Sequence, residues 1–187
     1  MRYFLAFLVT IGLLIILIFV LFTGGGNDKA KVPTSKKTLV SYANTDAEAS
    51  LLIAGPINAN SLHERILITV NSSAVTYKAF RGYDGFVTRT ERFANSENAY
   101  SAFLSGLTTS GFTSQRTGTS YGDGAGTCPL GQRYTFKFVD NGKSLVNSWA
   151  GSCGGTKTFL GSLNLTISLF QLQVPDYNLL TVDLNNL

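Results

Sequence analysis

The chain opens on an unbroken apolar run: residues 3–22 carry no charge, and only Thr10 and Gly12 interrupt them. At about 1.5 Å rise per residue this run reaches about 30 Å, the hydrocarbon thickness of a bilayer. A buried core helix of such length would show a polar face. Residues 1–22 therefore predict a transmembrane signal anchor. The pattern breaks at Thr23. Residues 23–38 are rich in Gly, Lys, Ser, Pro and Asn and read as a flexible stalk. Residues 39–187 then alternate short apolar runs with turn residues, the pattern of one folded domain.

Within that domain, residues 49–57 and 63–71 are apolar, β-branched stretches joined across Pro56. Residues 74–80 and 86–93 are two more, and Gly82 with Asp84-Gly85 marks a hairpin between them. A helix follows, with Asn95 or Ser96 as its cap and Tyr100, Phe103, Leu104 and Leu107 on one face. Gly111 stands where a left-handed residue ends a helix.

In residues 133–150, Asn141-Gly142 forms the centre of a two-residue hairpin loop. That register opposes Val139 to Ser144, Phe138 to Leu145, Phe136 to Asn147 and Tyr134 to Trp149. Phe136 and Phe138 share the inner face, and Lys137 takes the other. Residues 158–174 fit both a strand and a helix face, and the helix is preferred. The expectation is an α+β fold: a mainly antiparallel sheet of five to seven strands with one or two helices packed on one side.

Composition narrows the function classes. Of 187 residues, 44% are hydrophobic and 14% charged, which excludes a disordered polyelectrolyte. The formal charge is +4, but from Lys37 onward five Lys and six Arg face ten acids. The basic excess lies beside the apolar run, where it could touch anionic headgroups. Nucleic acid is not an expected partner; the bilayer, through residues 3–22, is.

Lys29, Lys31, Lys36 and Lys37 would by the positive-inside rule hold the domain in the cytoplasm. The two-residue N-terminal tail, the glycine-rich tether and a plausible disulfide argue the reverse, and an extracytoplasmic domain on the cell membrane is expected. The apolar run exceeds a secretory h-region of about 7–15 residues, so an uncleaved anchor is favoured.

Cys128 and Cys153 are the only cysteines. The hairpin register brings them together just beyond its paired part, within reach of a bridge. The rival reading makes Cys153 a nucleophile in Gly151-Ser152-Cys153-Gly154-Gly155, with His63, the only histidine, as base. An elbow of that kind needs a strand before it and a helix after it. His63 otherwise reads as a surface or edge residue. No catalytic set, cofactor site or metal site is expected: two Cys and one His lack ligand spacing and a fourth group. Residues 118–127 are glycine-rich without opening a helix, so they cannot cradle a dinucleotide phosphate. They form a loop in which Tyr121 and Asp123 are candidate binding residues.

The string Cys128-Pro129-Leu130-Gly131-Gln132-Arg133-Tyr134, followed by Trp149, Ser152-Cys153-Gly154, Thr158-Phe159-Leu160-Gly161 and Gln173-Val174-Pro175-Asp176-Tyr177, carries a resemblance. In that order these residues resemble uncharacterised single-pass membrane-anchored proteins of Saccharibacteria-type bacteria. Gly82-Tyr83-Asp84-Gly85 is similar too. The resemblance implies an envelope-anchored domain with a paired-cysteine hairpin and a C-terminal helix; it brings no activity.

Three functions are therefore in view. The first is a non-enzymatic binding or envelope-interaction module whose partner belongs to the cell envelope or is another protein. The second is an extracytoplasmic thiol enzyme or hydrolase using Cys153 and His63. The third is a pilin-like assembly subunit.

Overall fold

Alternation of period two builds a six-stranded sheet: β1 (Glu48–Ala54), β2 (Glu64–Val70), β3 (Ala74–Arg81), β4 (Phe86–Ala94), β5 (Arg133–Asp140) and β6 (Lys143–Gly151). The computed structural model describes residues 38–116, 122, 124–184 and 187. The expected anchor over residues 1–22, the expected stalk over 23–38 except Thr38, and the candidate binding residues Tyr121 and Asp123 lie outside the described residues.

Strand order is β4-β3-β2-β1-β5-β6, and all neighbours are antiparallel. The first strand is thus central. β2, β3 and β4 meander away from one side of it, and the β5–β6 hairpin returns to the other. The chain crosses between the two halves through α1 (Glu97–Thr109), packed on the sheet. α2 (Leu163–Gln171), the short α3 (Tyr177–Thr181) and a 3₁₀ turn (Leu39–Tyr42) lie on the same face.

The core is what those elements bury between them. The sheet contributes Leu51, Ile66, Ile68, Tyr77, Phe136 and Phe138. α1 contributes Tyr100, Leu104 and Leu107, and α2 contributes Phe170. Phe103 and Phe170 meet edge to face at 5.1 Å, and Phe136 lies 4.5 Å from Phe159. Each such side chain taken from water is worth about 1.5–3 kcal/mol. The buried Tyr100 hydroxyl donates to Ala47 O at 2.8 Å, tying α1 to the start of β1. That bond lets a polar atom sit in the core without penalty.

α1 has the ends its sequence predicts. Ser96 caps it, accepting from Ala99 N at 3.2 Å. At the other end Gly111 adopts φ +75°. Phe112 N donates to Leu107 O and Gly111 N to Thr108 O, which satisfies the last carbonyls. Residues 158–174 resolve into two parts: Phe159 bridges Gln115 in extended form, and the helix begins at Leu163.

Three expectations need correction. The first strand ends at Ala54, not Ile57, because Gly55 N still bonds Glu64 O and the chain then turns at Pro56. The β5–β6 register is as read only at its tip. Asn141 and Gly142 take φ 47° and 75°, and Asp140 faces Lys143 and Val139 faces Ser144. A bulge between Phe138 and Val139 then shifts every later pair by one: Phe138 faces Val146, Phe136 faces Ser148 and Tyr134 faces Ala150. Trp149 consequently lies opposite Thr135, on the face away from the helices. Finally, His63 is not a surface residue; it is 5% exposed.

Candidate functional site

Two places could carry function: the corner that holds the cysteines, and the sheet face that no helix covers. At the corner, Ser152 N donates to Gln132 O, which carries the β5–β6 ladder one step past Gly151. Cys128 and Cys153 then close it with a disulfide, their Cα atoms 5.6 Å apart. Cys153 N donates to Cys128 Sγ at 3.1 Å. Gly131 leaves room for the sulfurs, since a Cβ there would meet both Cys Sγ atoms and Ser152 Oγ.

His63 stacks on Tyr83 at 4.0 Å with the rings 10° from parallel. Its Nδ1 donates to Pro56 O at 3.1 Å. Tyr83 is fixed in turn, for its hydroxyl donates to Asn58 O and its backbone N to Asn60 Oδ1. The histidine is therefore a structural stacking partner.

Both residues of the proposed nucleophile–base pair are thus committed elsewhere, His63 to its stack and Cys153 to its bridge. A disulfide sulfur offers no thiolate. The described residues contain no free cysteine and no group of three or more His, Cys, Asp and Glu placed to hold a metal.

The open face is a grid set by the strand registers. One row across the sheet reads Arg92, Thr76, Thr69, Ser50, Lys137, Asn147. The next reads Thr90, Lys78, Leu67, Leu52, Thr135, Trp149. The third reads Val87, Phe80, Arg65, Ala54, Arg133, Gly151. Five cations stand on this face, with hydroxyls between them and two half-buried leucines at the centre. Glu48 is the acid beside them; burial raises its pKa and Lys78 opposes the rise. Among the described residues the two ion pairs are Arg81–Glu64 and Arg89–Glu91, and neither engages a cation of this grid.

The grid is concave. A depression of about 280 Å³ lies over Ser50, Leu52, Leu67 and Thr69, bordered by Arg65, Lys137 and the Glu48 carboxyl. A second of about 260 Å³ runs from Arg65 past His63 and Tyr83 to the disulfide corner and Arg133. A third of about 570 Å³ continues from Leu52, Thr135 and Lys137 to Arg133, Arg116 and Trp149. The three lie side by side across β2, β1, β5 and β6 and share Arg65, Arg133, Leu52, Thr135 and Lys137 as walls.

Arg65 sits between two of these depressions. Its Nη2 donates to Gly82 O at 3.2 Å and its guanidinium lies over Phe80, yet its buried Nε has no hydrogen-bond partner. Trp149 closes one end: its Nε1 donates to Gly122 O, and Gly124 lies so close over the ring that a Cβ would come within 2.5 Å of it.

Sequence reading missed this face. The signal was present as cations at period two, Arg65-x-Leu67-x-Thr69, Thr76-x-Lys78-x-Phe80 and Arg133-x-Thr135-x-Lys137, each out of phase with the core positions. No protein-family model matches the chain, and no curated protein matches it. What the fold and site define is a helix-backed antiparallel sheet with one open, cation-lined face and a disulfide-clamped corner.

Proposed function

We propose that this chain is a single-pass, membrane-tethered extracytoplasmic module that binds a component of the cell envelope and catalyses no reaction. The disulfide between Cys128 and Cys153 carries the reading. Disulfides persist in oxidising compartments and are rare in reducing ones. The bonded sulfurs also leave the thiol-enzyme alternative without its nucleophile. The apolar run of residues 3–22 supplies the anchor and residues 23–38 the tether. The resemblance to Saccharibacteria-type single-pass proteins agrees with an envelope location. A pilin-like role is disfavoured by the glycine-rich residues that follow the apolar run, since an assembly subunit would continue its helix into the domain.

The test is thiol labelling of intact cells with a membrane-impermeant maleimide, before and after reduction. Labelling only after reduction is expected. Labelling that requires lysis but no reductant would place free thiols in the cytoplasm and defeat the proposal.

A further inference from the structure

From the open sheet face we infer that this domain binds a phosphate-bearing polymer: an extended polyol-phosphate or phosphorylated glycan chain laid across the sheet from β4 to β5. The inference rests on the extracytoplasmic binding reading and gives it a ligand class. Four observations carry it.

The first is charge. Residues 38–187 hold four Lys and six Arg against ten acids, so the domain is balanced as a whole. Yet Arg65, Lys78, Arg92, Arg133 and Lys137 all project from one face, with Glu48 as the acid beside them. Strands stand about 4.8 Å apart, which spreads these cations over about 20 Å across the sheet. That suits a chain with repeated charges better than one small anion.

The second is the donor set. Arg65 and Arg133 flank Ala54 in one row, and a planar guanidinium matches phosphate oxygens through paired N–H donors. Arg65 is held in place by Gly82 O and Phe80 and adds its charge to the row, while Arg133 offers the fork. The third is the ground between the cations: Ser50, Thr69, Thr76, Thr90 and Thr135 offer hydroxyls of the kind that pair with polyol and sugar oxygens.

The fourth separates this ligand from its rivals. Single-stranded nucleic acid is held by stacking on exposed aromatic rings. Here Trp149 is 4% exposed beneath Gly124, Phe80 is occupied by Arg65, and Tyr83, the one exposed ring lining the depressions, already has one face stacked on His63. An anionic bilayer would want a protruding apolar rim, whereas Leu52 and Leu67 form the half-buried floor of a trough. Arginine clusters also take acidic peptides, and polyglutamate enters the experiment as the rival that tests this.

The experiment uses the full chain in zwitterionic-lipid nanodiscs, with fluorescent poly(glycerol phosphate) as the probe. Anisotropy is measured from 50 to 200 mM salt, against oligo-dT, polyglutamate and anionic vesicles. Binding should weaken about 100-fold over that range, as the release of about five counterions, one for each cation of the face, requires.

K78Q/R92Q/K137Q should bind at least about tenfold more weakly with a salt slope lower by about 2 to 3, since each lost phosphate contact removes about one. K143Q/K157Q, which leaves the five cations of the grid intact, should stay within about twofold. A quadruple Lys-to-Gln variant of the stalk lysines should keep most of the binding. The triple variant changes only surface side chains, and circular dichroism checks its fold.

Oligo-dT, polyglutamate or anionic vesicles bound as tightly as the probe, an unaffected triple variant, or loss of binding in the stalk variant would each overturn the inference. Absent polymer binding, with maleimide labelling still extracellular, would overturn the inference alone. Labelling only after lysis would overturn the underlying reading as well, whatever the binding result.

Discussion

Removing the disulfide tests what holds the β5–β6 corner together. Cys128 and Cys153 are 25 residues apart, and the loop they close holds the whole β5–β6 hairpin. In the chain-entropy picture, cross-linking a loop of this size withdraws about 12 cal/mol/K from the unfolded chain, or about 3.5 kcal/mol at room temperature. The native state adds little to this. C128A/C153A loses the contact from Cys153 N to Cys128 Sγ and leaves a small void beside Gly131. Cys128 has φ 56°, but alanine suffers the same left-handed strain, so that cost cancels between the two proteins.

The double variant of residues 38–187 should therefore unfold in urea about 3–4 kcal/mol more easily. Its melting temperature should fall by about 10 °C, since 1 kcal/mol moves a domain of this size by about 2–4 °C. Its m-value should rise, because an unfolded chain without the cross-link exposes more surface. Reduced wild type should match the variant. A loss under about 1 kcal/mol with an unchanged m-value would refute the reasoning. The ladder and hairpin loop would then hold the corner unaided.

Three further outcomes follow from particular contacts. G124A should destabilise the domain by about 1–3 kcal/mol, because its Cβ would strike the Trp149 ring at a φ of +76°; the chain's single tryptophan reports the change by a shift in emission. E48Q should be more stable than wild type at neutral pH. Burial raises the Glu48 pKa above 4.5, so the folded state holds its proton more tightly and stability falls as pH rises through that window; urea unfolding at pH 4 and pH 7 should show the gain only at the higher pH.

Alkali should unfold the domain from about pH 10 upward. Burial first, then Tyr177, pushes the Tyr77 phenol to about 12, and burial also raises Tyr100, so the unfolded state loses these protons first. Y77F and Y100F should flatten that alkaline limb in a pH titration of ellipticity.

Much of this fold was legible because its elements obey strong local rules. Tyr100, Phe103, Leu104 and Leu107 needed a helix, Ser96 and Gly111 bounded it, and Asn141-Gly142 fixed a hairpin tip. The misreadings share one cause, a side chain buried by something distant in sequence. Trp149 reads as a core partner for Tyr134, and that pairing holds the register straight. In the structure Ser148 and Ala150 take the core face, the bulge absorbs the extra residue, and Trp149 is covered from the opposite side by Gly122 and Gly124. His63 looks polar and marginal until Tyr83 arrives from the next hairpin to stack on it. Neither covering segment has a periodicity that announces its destination.

The same point bears on how charge should be read. A net charge is a sum over a surface and bears on solubility and long-range steering; it says nothing about faces. A strand sorts its residues to two sides at every step. Arg65, Lys78, Arg133 and Lys137 alternate with Ile66, Tyr77, Ala79, Tyr134 and Phe136, and the residues that build the core thereby place the cations together on the other side. The acids that balance them fall largely on loops, on the 81–64 and 89–91 ion pairs and at the helix start, where Glu97 favours the first turn of α1. An even count of charges is therefore compatible with one strongly cationic face. Excluding polyanions from the near-zero balance of the domain does not follow; excluding them would require the cations to be mixed with acids on the same side of the sheet. In β1, β2, β3 and β5 they are not, apart from Glu48 at the end of β1.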